Sequence, residues 1–245
     1  MTERKIVLKM GGSLLFDENL ALRLDSFSTI VNVVKKSQHV AAVVIGGGKI
    51  ARKFIQAARE FQANESRCDT FGIQASRLNA LLLITALDSR AYPVVIESPR
   101  SFNLNAVTAS ISQRIMVAGG FIPGQSTTSV TFQIAEMLEA TDVIILTDVD
   151  GIYDKDPNKY QNAVKFDSID ISKLEEVIFG NSSHKQAAAG EYRIFDAVSL
   201  QILKRSSFRV RLINGNDPNA LQTLLVQENF TASFGTTVVK EMTKK

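Results

Sequence analysis

A lysine, three glycine-rich turns and a string of carboxylates carry the chemistry legible in this chain. Lys9-Met10-Gly11-Gly12-Ser13 closes the apolar run Ile6-Val7-Leu8. An ammonium fixed at the end of a buried strand could bind a transferring phosphoryl group. A surface lysine beside a tight turn is the plainer alternative. Gly46-Gly47-Gly48 ends a second apolar run, Val40 to Ile45, and Lys49-Ile50-Ala51-Arg52 follows. The richest segment is Gly119-Gly120-Phe121-Ile122-Pro123-Gly124-Gln125-Ser126-Thr127-Thr128. It offers backbone amides, hydroxyls and a carboxamide ahead of a helix. Such a loop can hold a phosphate and read polar base edges, or it is a glycine turn with a Ser/Thr helix cap. Glycine lets backbone N–H groups approach an anion closely, and a following helix N-terminus adds positive potential. Three such loops after successive apolar runs point to a polyphosphate site.

Thr147-Asp148-Val149-Asp150-Gly151-Ile152-Tyr153 and then Asp154-Lys155-Asp156-Pro157 follow another apolar run, Val143 to Leu146. A carboxylate at a strand end can orient a lysine or support a metal-bound phosphate, and a nearby aromatic ring can pack on a purine. Asp-Gly and Asp-Pro are also ordinary turn formers. Two familiar nucleotide signatures fail. Residues 46–51 fit G-x-G-x-x-A, but that fingerprint expects a carboxylate about 20 residues on, at the end of the next strand. Glu65 and Asp69 stand at that distance in what reads as a polar stretch between helices. The Walker A spacing is absent. A dinucleotide oxidoreductase therefore ranks last.

The elements that must position these residues alternate. Apolar strands are expected at Ile6–Leu8, Val40–Ile45, Val94–Ile96, Ile115–Val117 and Val143–Leu146. Helical spacing spans Leu20–Lys36, Ile50–Phe61 and Ser76–Asp88, and runs on from the third loop toward Glu139. Continuous apolar strands separated by helices predict a mostly parallel sheet covered on both faces. The last third reads differently: turns and short extended pieces from Asp150 to Phe166, helices at Leu174–Phe179 and Asp196–Lys204, closing strands at Arg209–Ile213 and Thr236–Val239. With 245 residues, 45% of them hydrophobic, one domain with two lobes is expected. The net charge of +3 comes without a basic stripe, so no nucleic-acid partner is indicated. A single cysteine, Cys68, allows no internal disulfide and suggests a reducing, cytoplasmic setting. No apolar leader is visible, and Val40–Ile45 is too short to span a bilayer, so no membrane partner is expected.

Five motifs in order, KMGGS, VIGGGKIAR, CDTFGIQASRLNALLL, AGGFIPGQSTT and LTDVDGIYDKDP, resemble the amino acid kinase superfamily, and within it the archaeal-type UMP kinases. The resemblance is strong from Ile6 to about Pro157 and looser to Val239. It implies an α/β fold, a three-layer αβα sandwich with a mostly parallel central sheet. It implies transfer of the γ-phosphoryl of ATP to UMP, with Mg²⁺ accompanying ATP and no metal-ligating residue assigned. On this resemblance Lys9 binds the transferring phosphoryl and Asp150 orients that lysine. Gly12, Ser13, Gly48 and Arg52 meet the ATP phosphates, and Thr147, Tyr153 and Asp156 line the adenine nucleotide pocket. Gly47 and Asp69 hold UMP, Asp69 through the ribose hydroxyls. Phe121, Ile122, Pro123, Gly124, Gln125, Ser126 and Thr127 wrap its phosphate and base. The resemblance also implies an acceptor lobe over roughly residues 1–140, an ATP lobe over roughly 141–245, and a homohexamer. Two places depart from the pattern. Phe121-Ile122 stands where many relatives have Thr followed by Asp or His, which bears on base selectivity. Asp196-Ala197-Val198-Ser199 stands where relatives read Asp-Pro-Leu-Ala. Isopentenyl phosphate kinases are similar but carry a histidine in the second glycine-rich region, and this chain has none between His39 and His184. A non-catalytic storage protein on the same scaffold is a further, lower-ranked alternative.

Overall fold

The computed structural model describes residues 4–155, 157, 160–179, 194–227 and 234–240. From the N-terminus run β1 (Ile6–Met10), a 3-10 turn (Gly12–Leu14), α1 (Leu24–Lys36), β2 (Val40–Ile45), α2 (Gly48–Glu60) and α3 (Glu65–Leu87). There follow β3 (Ala91–Ile96), α4 (Pro99–Ile111), β4 (Ile115–Ala118), α5 (Thr127–Met137) and β5 (Asp142–Thr147). The remainder comprises β6 (Ile152–Tyr153), β7 (Lys165–Phe166), β8 (Ser168–Asp170), α6 (Ile171–Phe179), α7 (Ala197–Arg205), β9 (Arg209–Asn214), α8 (Pro218–Leu225) and β10 (Thr236–Val239).

The main sheet has eight strands in the order β3-β4-β2-β1-β5-β9-β10-β8. β10 is antiparallel to β9, β8 is parallel to β10, and the other pairs are parallel. β1 sits between β2 and β5, with Lys9 in register with Val44 on one side and Ile145 on the other. The chain first builds outward from β1 through β2 and later returns to its other side with β5. That reversal opens a crevice beyond the carboxyl ends of the strands, where parallel sheets bind ligands. The loops after β1, β2, β4 and β5 all emerge there.

Alternation along the strands makes three layers. Ile6, Leu8 and Met10 join α1, α3 and α8 in one apolar cluster, while Val7 joins α4, α5, α6 and α7 in the other. Each face of the sheet is therefore dry, which explains why its strands read as unbroken apolar runs. β3 begins at Ala91, three residues earlier than the sequence suggests, and α3 begins at Glu65 rather than Ser76. Its N-cap Asn64 accepts from the Arg67 amide. The stretch holding Glu65 and Asp69 is thus helix, not a connector, and no strand separates α2 from α3, so the dinucleotide fingerprint has no second strand to complete it. α4 and α8 escape sequence reading. α4 buries Phe102 and Ala109 yet exposes Leu104, Val107 and Ile111, so no single apolar stripe marks it. α8 is only eight residues long, started by Asp217 and Pro218.

Residues 65–90 have the length and hydropathy of a membrane span. In this fold the helix packs on the sheet through Ala80, Leu83 and Leu87 and on α2 through Cys68, as a core helix does. At the amino end of the sheet, away from the loops, the fully buried Asp142 is held by Arg4 Nε at 3.0 Å, Arg209 Nη2 at 2.6 Å and the Thr141 hydroxyl at 2.9 Å. On the α5 side, fully buried Phe132 tilts against Phe208 and Phe195, with ring centroids 5.2 and 6.1 Å away. Phe132→Ala should lower unfolding free energy by roughly 3–5 kcal/mol in urea, because little can collapse into the gap. A loss below about 1 kcal/mol would contradict this packing.

Candidate functional site

The first two glycine loops touch backbone to backbone. A Cβ on Gly12 would lie 2.3 Å from the Gly48 nitrogen and 2.5 Å from the Gly46 carbonyl oxygen. Gly48 has φ +66°, and its own Cβ would fall 2.3 Å from the Gly12 oxygen. No other residue fits either position, so these glycines exist to bring two strand ends together. Asn79, projecting from α3, donates its Nδ2 to the Gly46 carbonyl at 2.8 Å and fixes the second loop from beneath. The third loop joins them: Thr127 Oγ1 lies 3.5 Å from where a Gly46 Cβ would stand.

That third loop is fastened at four points. The Gly120 amide donates to Ser76 Oγ at 2.7 Å. Arg77 donates to the carbonyls of Gly120 and Phe121, both at 3.2 Å, while its Nη1 pairs with Glu97 at 3.1 Å. The Gly124 amide donates to Asp69 Oδ2 at 2.7 Å. The Ser126 amide donates to Asp196 Oδ2 at 2.8 Å. Phe121 is buried in the core while Ile122 and Pro123 face outward. Ser126 caps α5 by accepting from the Ser129 amide, so the first-turn amides of Thr127 and Thr128 have no partner among the described residues. Gln125 buries its Oε1 with no donor among the described residues. An unmet acceptor beside open amides fits a ligand carrying both an anion and an N–H or O–H group.

Lys9 shares the face of Val7, the side of the sheet covered by α5. Burial pushes its ammonium down to about 8, with the negative charge of Asp148 acting in the opposite direction. Asp150, to which the resemblance gives the role of orienting Lys9, accepts from Asn214 Nδ2 at 2.7 Å. Thr147 is buried at the end of β5 and donates its hydroxyl to Asp148 at 3.1 Å. Arg52 lies one turn into α2, half-buried, with no hydrogen bond or ion pair among the described residues. Ser13 is buried in the 3-10 turn, and Gly47 is the N-cap of α2. Tyr153 pairs with Lys165 across the short β6–β7 ribbon. Asp156 lies outside the described residues. Lys9, Gly12, Ser13, Gly47, Gly48, Asp69, Thr147 and residues 121–127 therefore belong to loops and helix ends at one edge of the sheet. His39 sits at the opposite edge, with Nδ1 against the Arg4 carbonyl at 3.2 Å.

Sequence reading gave no site role to Ser76, Arg77, Asn79 or Asp196. For the α3 group a signal was present: Asp69, Ile73, Ser76, Asn79 and Leu83 recur at helical spacing, so polar and apolar residues share the face turned to the sheet and loops. Treating 65–75 as a connector broke that pattern. The chemistry on offer is anion binding by backbone amides and cations at the carboxyl ends of the strands.

A family model described as the amino acid kinase family matches residues 4–214. The chain is 40% identical over 237 residues to a uridylate kinase of Methanothermobacter thermautotrophicus, covering 97% of this chain and all of that protein. It is 38% identical over 225 residues to a uridylate kinase of Sulfolobus acidocaldarius, covering 90% and 94%. Among solved structures, the uridylate kinase of Archaeoglobus fulgidus superimposes with a TM-score of 0.76 at 31% identity, covering 96% of this chain and all of that one. An isopentenyl phosphate kinase of T. acidophilum shares the fold at a TM-score of 0.68 and 22% identity, covering 96% and 100%.

Gly12→Ala should destabilise the fold by about 1–3 kcal/mol, toward the upper end because the obstructing atoms are backbone. An unchanged urea midpoint would refute the contact. Lys9 should titrate near pH 8 rather than at its ordinary 10.5, read by NMR of lysine-labelled protein. Below about 8 the folded chain carries a buried charge; between 8 and 10.5 the unfolded chain holds that proton more strongly. Stability should therefore rise with pH across this window, and Lys9→Met should abolish the rise.

Proposed function

This chain belongs to the amino acid kinase family, and we propose that within it the protein is a UMP kinase, transferring the γ-phosphoryl group of ATP to UMP to give UDP and ADP. The observation that carries the reading is the third loop. It carries open first-turn amides and an unmet Gln125 acceptor, and its Thr127 hydroxyl approaches Gly46 in the second glycine loop. The likeness to uridylate kinases along nearly the whole chain supports the same acceptor.

In this reading Gly12, Ser13, Gly48 and Arg52 meet the ATP phosphates, and Thr147, Tyr153 and Asp156 line the adenine side. Gly47, Asp69 and residues 121–127 hold UMP. Asp69 commits Oδ2 to the Gly124 amide, which leaves Oδ1 for the ribose hydroxyls. Lys9 lies between the two and neutralises charge on the moving phosphoryl, with Asp148 favouring its charged form. The attacking atom is a phosphate oxygen already ionised at neutral pH, so no general base is needed. Catalysis is alignment plus charge neutralisation. Mg²⁺ arriving with ATP would spread the phosphate charge further. Asp148 and Asp150 at the end of β5 suit a magnesium ion that is carried on phosphates and needs only one or two carboxylates.

The acceptor lobe would comprise roughly residues 1–140 and the ATP lobe roughly 141–245. A cytoplasmic homo-oligomer, a hexamer by resemblance, fits the outward apolar residues Phe71, Leu78 and Leu81 on α3 and Leu104, Val107 and Ile111 on α4. The direct test is ADP release from Mg·ATP with UMP, CMP, dUMP or isopentenyl phosphate supplied singly. Turnover is expected with UMP, weakly with dUMP and not with isopentenyl phosphate. Tight ATP binding without turnover on any acceptor would replace the kinase reading with a storage or regulatory one.

A further inference from the structure

Asp196 is bonded beyond what a helix cap requires. As N-cap of α7 it needs one acceptor. Its Oδ1 takes the Ser199 amide at 2.6 Å, and the Ser199 hydroxyl reciprocates by accepting from the Asp196 amide at 2.9 Å. The rest of the carboxylate leaves α7 altogether. Oδ2 accepts from the Ser126 amide at 2.8 Å, and Oδ1 also accepts from the Ser129 hydroxyl at 2.6 Å. A third tie runs alongside, from the Thr128 hydroxyl to the Ile194 carbonyl at 2.5 Å.

α5 does not need this help to be capped, because Ser126 Oγ already accepts from the Ser129 amide. What the carboxylate adds is direction: it fixes how the third loop enters α5. Two helix N-termini converge on one carboxylate that is only 7% exposed. Burial opposes its ionisation, but the hydrogen bonds from Ser129, Ser199 and Ser126 outweigh burial and hold the carboxyl below the usual range. It is therefore an anion at neutral pH, built into the positive end of α5.

We propose that Asp196 is the positioning residue of the acceptor loop: by taking the Ser126 amide, it leaves the Thr127 and Thr128 amides turned toward the phosphate of UMP. The assignment rests on the UMP kinase reading. It also gives the loop a dependence on the segment 194–199.

Asp196→Asn is the discriminating variant. Asparagine caps helices about as well as aspartate and keeps one acceptor oxygen, but it turns an NH₂ toward the Ser126 amide, donor against donor. The variant should fold cooperatively. Its KM for UMP should rise about tenfold or more while KM for ATP stays within about threefold, and the 121–130 segment should exchange amide hydrogens about tenfold faster. If Asp196→Asn does not fold, Ser129→Ala spares the α7 cap and should raise KM for UMP about threefold with KM for ATP held. UMP KM and segment exchange both unchanged would overturn the proposal. So would parallel rises in both KM values, the mark of general structural loss. A wild-type protein inactive on UMP would instead sink the acceptor reading alone, and the exchange comparison would still decide whether Asp196 holds the loop.

Discussion

Everything at this site depends on two polypeptide backbones meeting where no side chain fits. A Cβ on Gly12 or Gly48 would stand 2.3 Å from the backbone of the other, so the ends of β1 and β2 are in direct contact. That contact brings Lys9 and Gly46–Gly48 to one place, and the third loop closes over them through Thr127. Chain flexibility cannot substitute for it: an anion-binding cradle made of amides works only if the amides are already aimed when the anion arrives. The glycines therefore give close approach, and the rigidity has to come from elsewhere.

It comes from polar side chains of α3 and from Asp196. Asn79, Ser76, Arg77 and Asp69 form a ladder along one helix, each engaging a carbonyl or amide of a loop. This is why α3 needs 23 residues and why its apolar residues cannot form a single clean stripe. Its sheet-facing side must carry hydrogen-bonding groups at the loop end and leucines at the other. By composition the helix passes for a membrane span, and by periodicity only the part from Ser76 onward reads as helix, yet neither describes its work.

The parts of the site that could be read beforehand are those written contiguously. Each glycine loop, with the strand before it and the helix cap after it, lies within about a dozen residues, so local rules reach it. The fold class was legible for the same reason, because strands buried on both faces must be apolar throughout. What stayed hidden are the buttresses, ordinary Ser, Arg, Asn and Asp residues that lie 33 to 70 positions from the groups they hold. The tie between Asn214 and Asp150, 64 positions apart, was hidden in the same way.

Charge is distributed along the strands in a way that separates stability from chemistry. At the amino ends, Asp142 is closed in by Arg4, Arg209 and Thr141, and His39 leans on the backbone beside them. Those charges are spent on one another. At the carboxyl ends the cations are left under-compensated: Lys9 is buried at an energetic cost, and Arg52 has no counter-ion among the described residues. A buried lysine with a lowered pKa is destabilising in the folded chain until an anion arrives to share its field. In the proposed reading the phosphates of a nucleotide would supply that anion, and the cost in the free protein would become differential binding of the transferring group. Asp148 tempers the cost without cancelling it. Being exposed, its carboxylate is screened by water, so the desolvation of Lys9 still dominates.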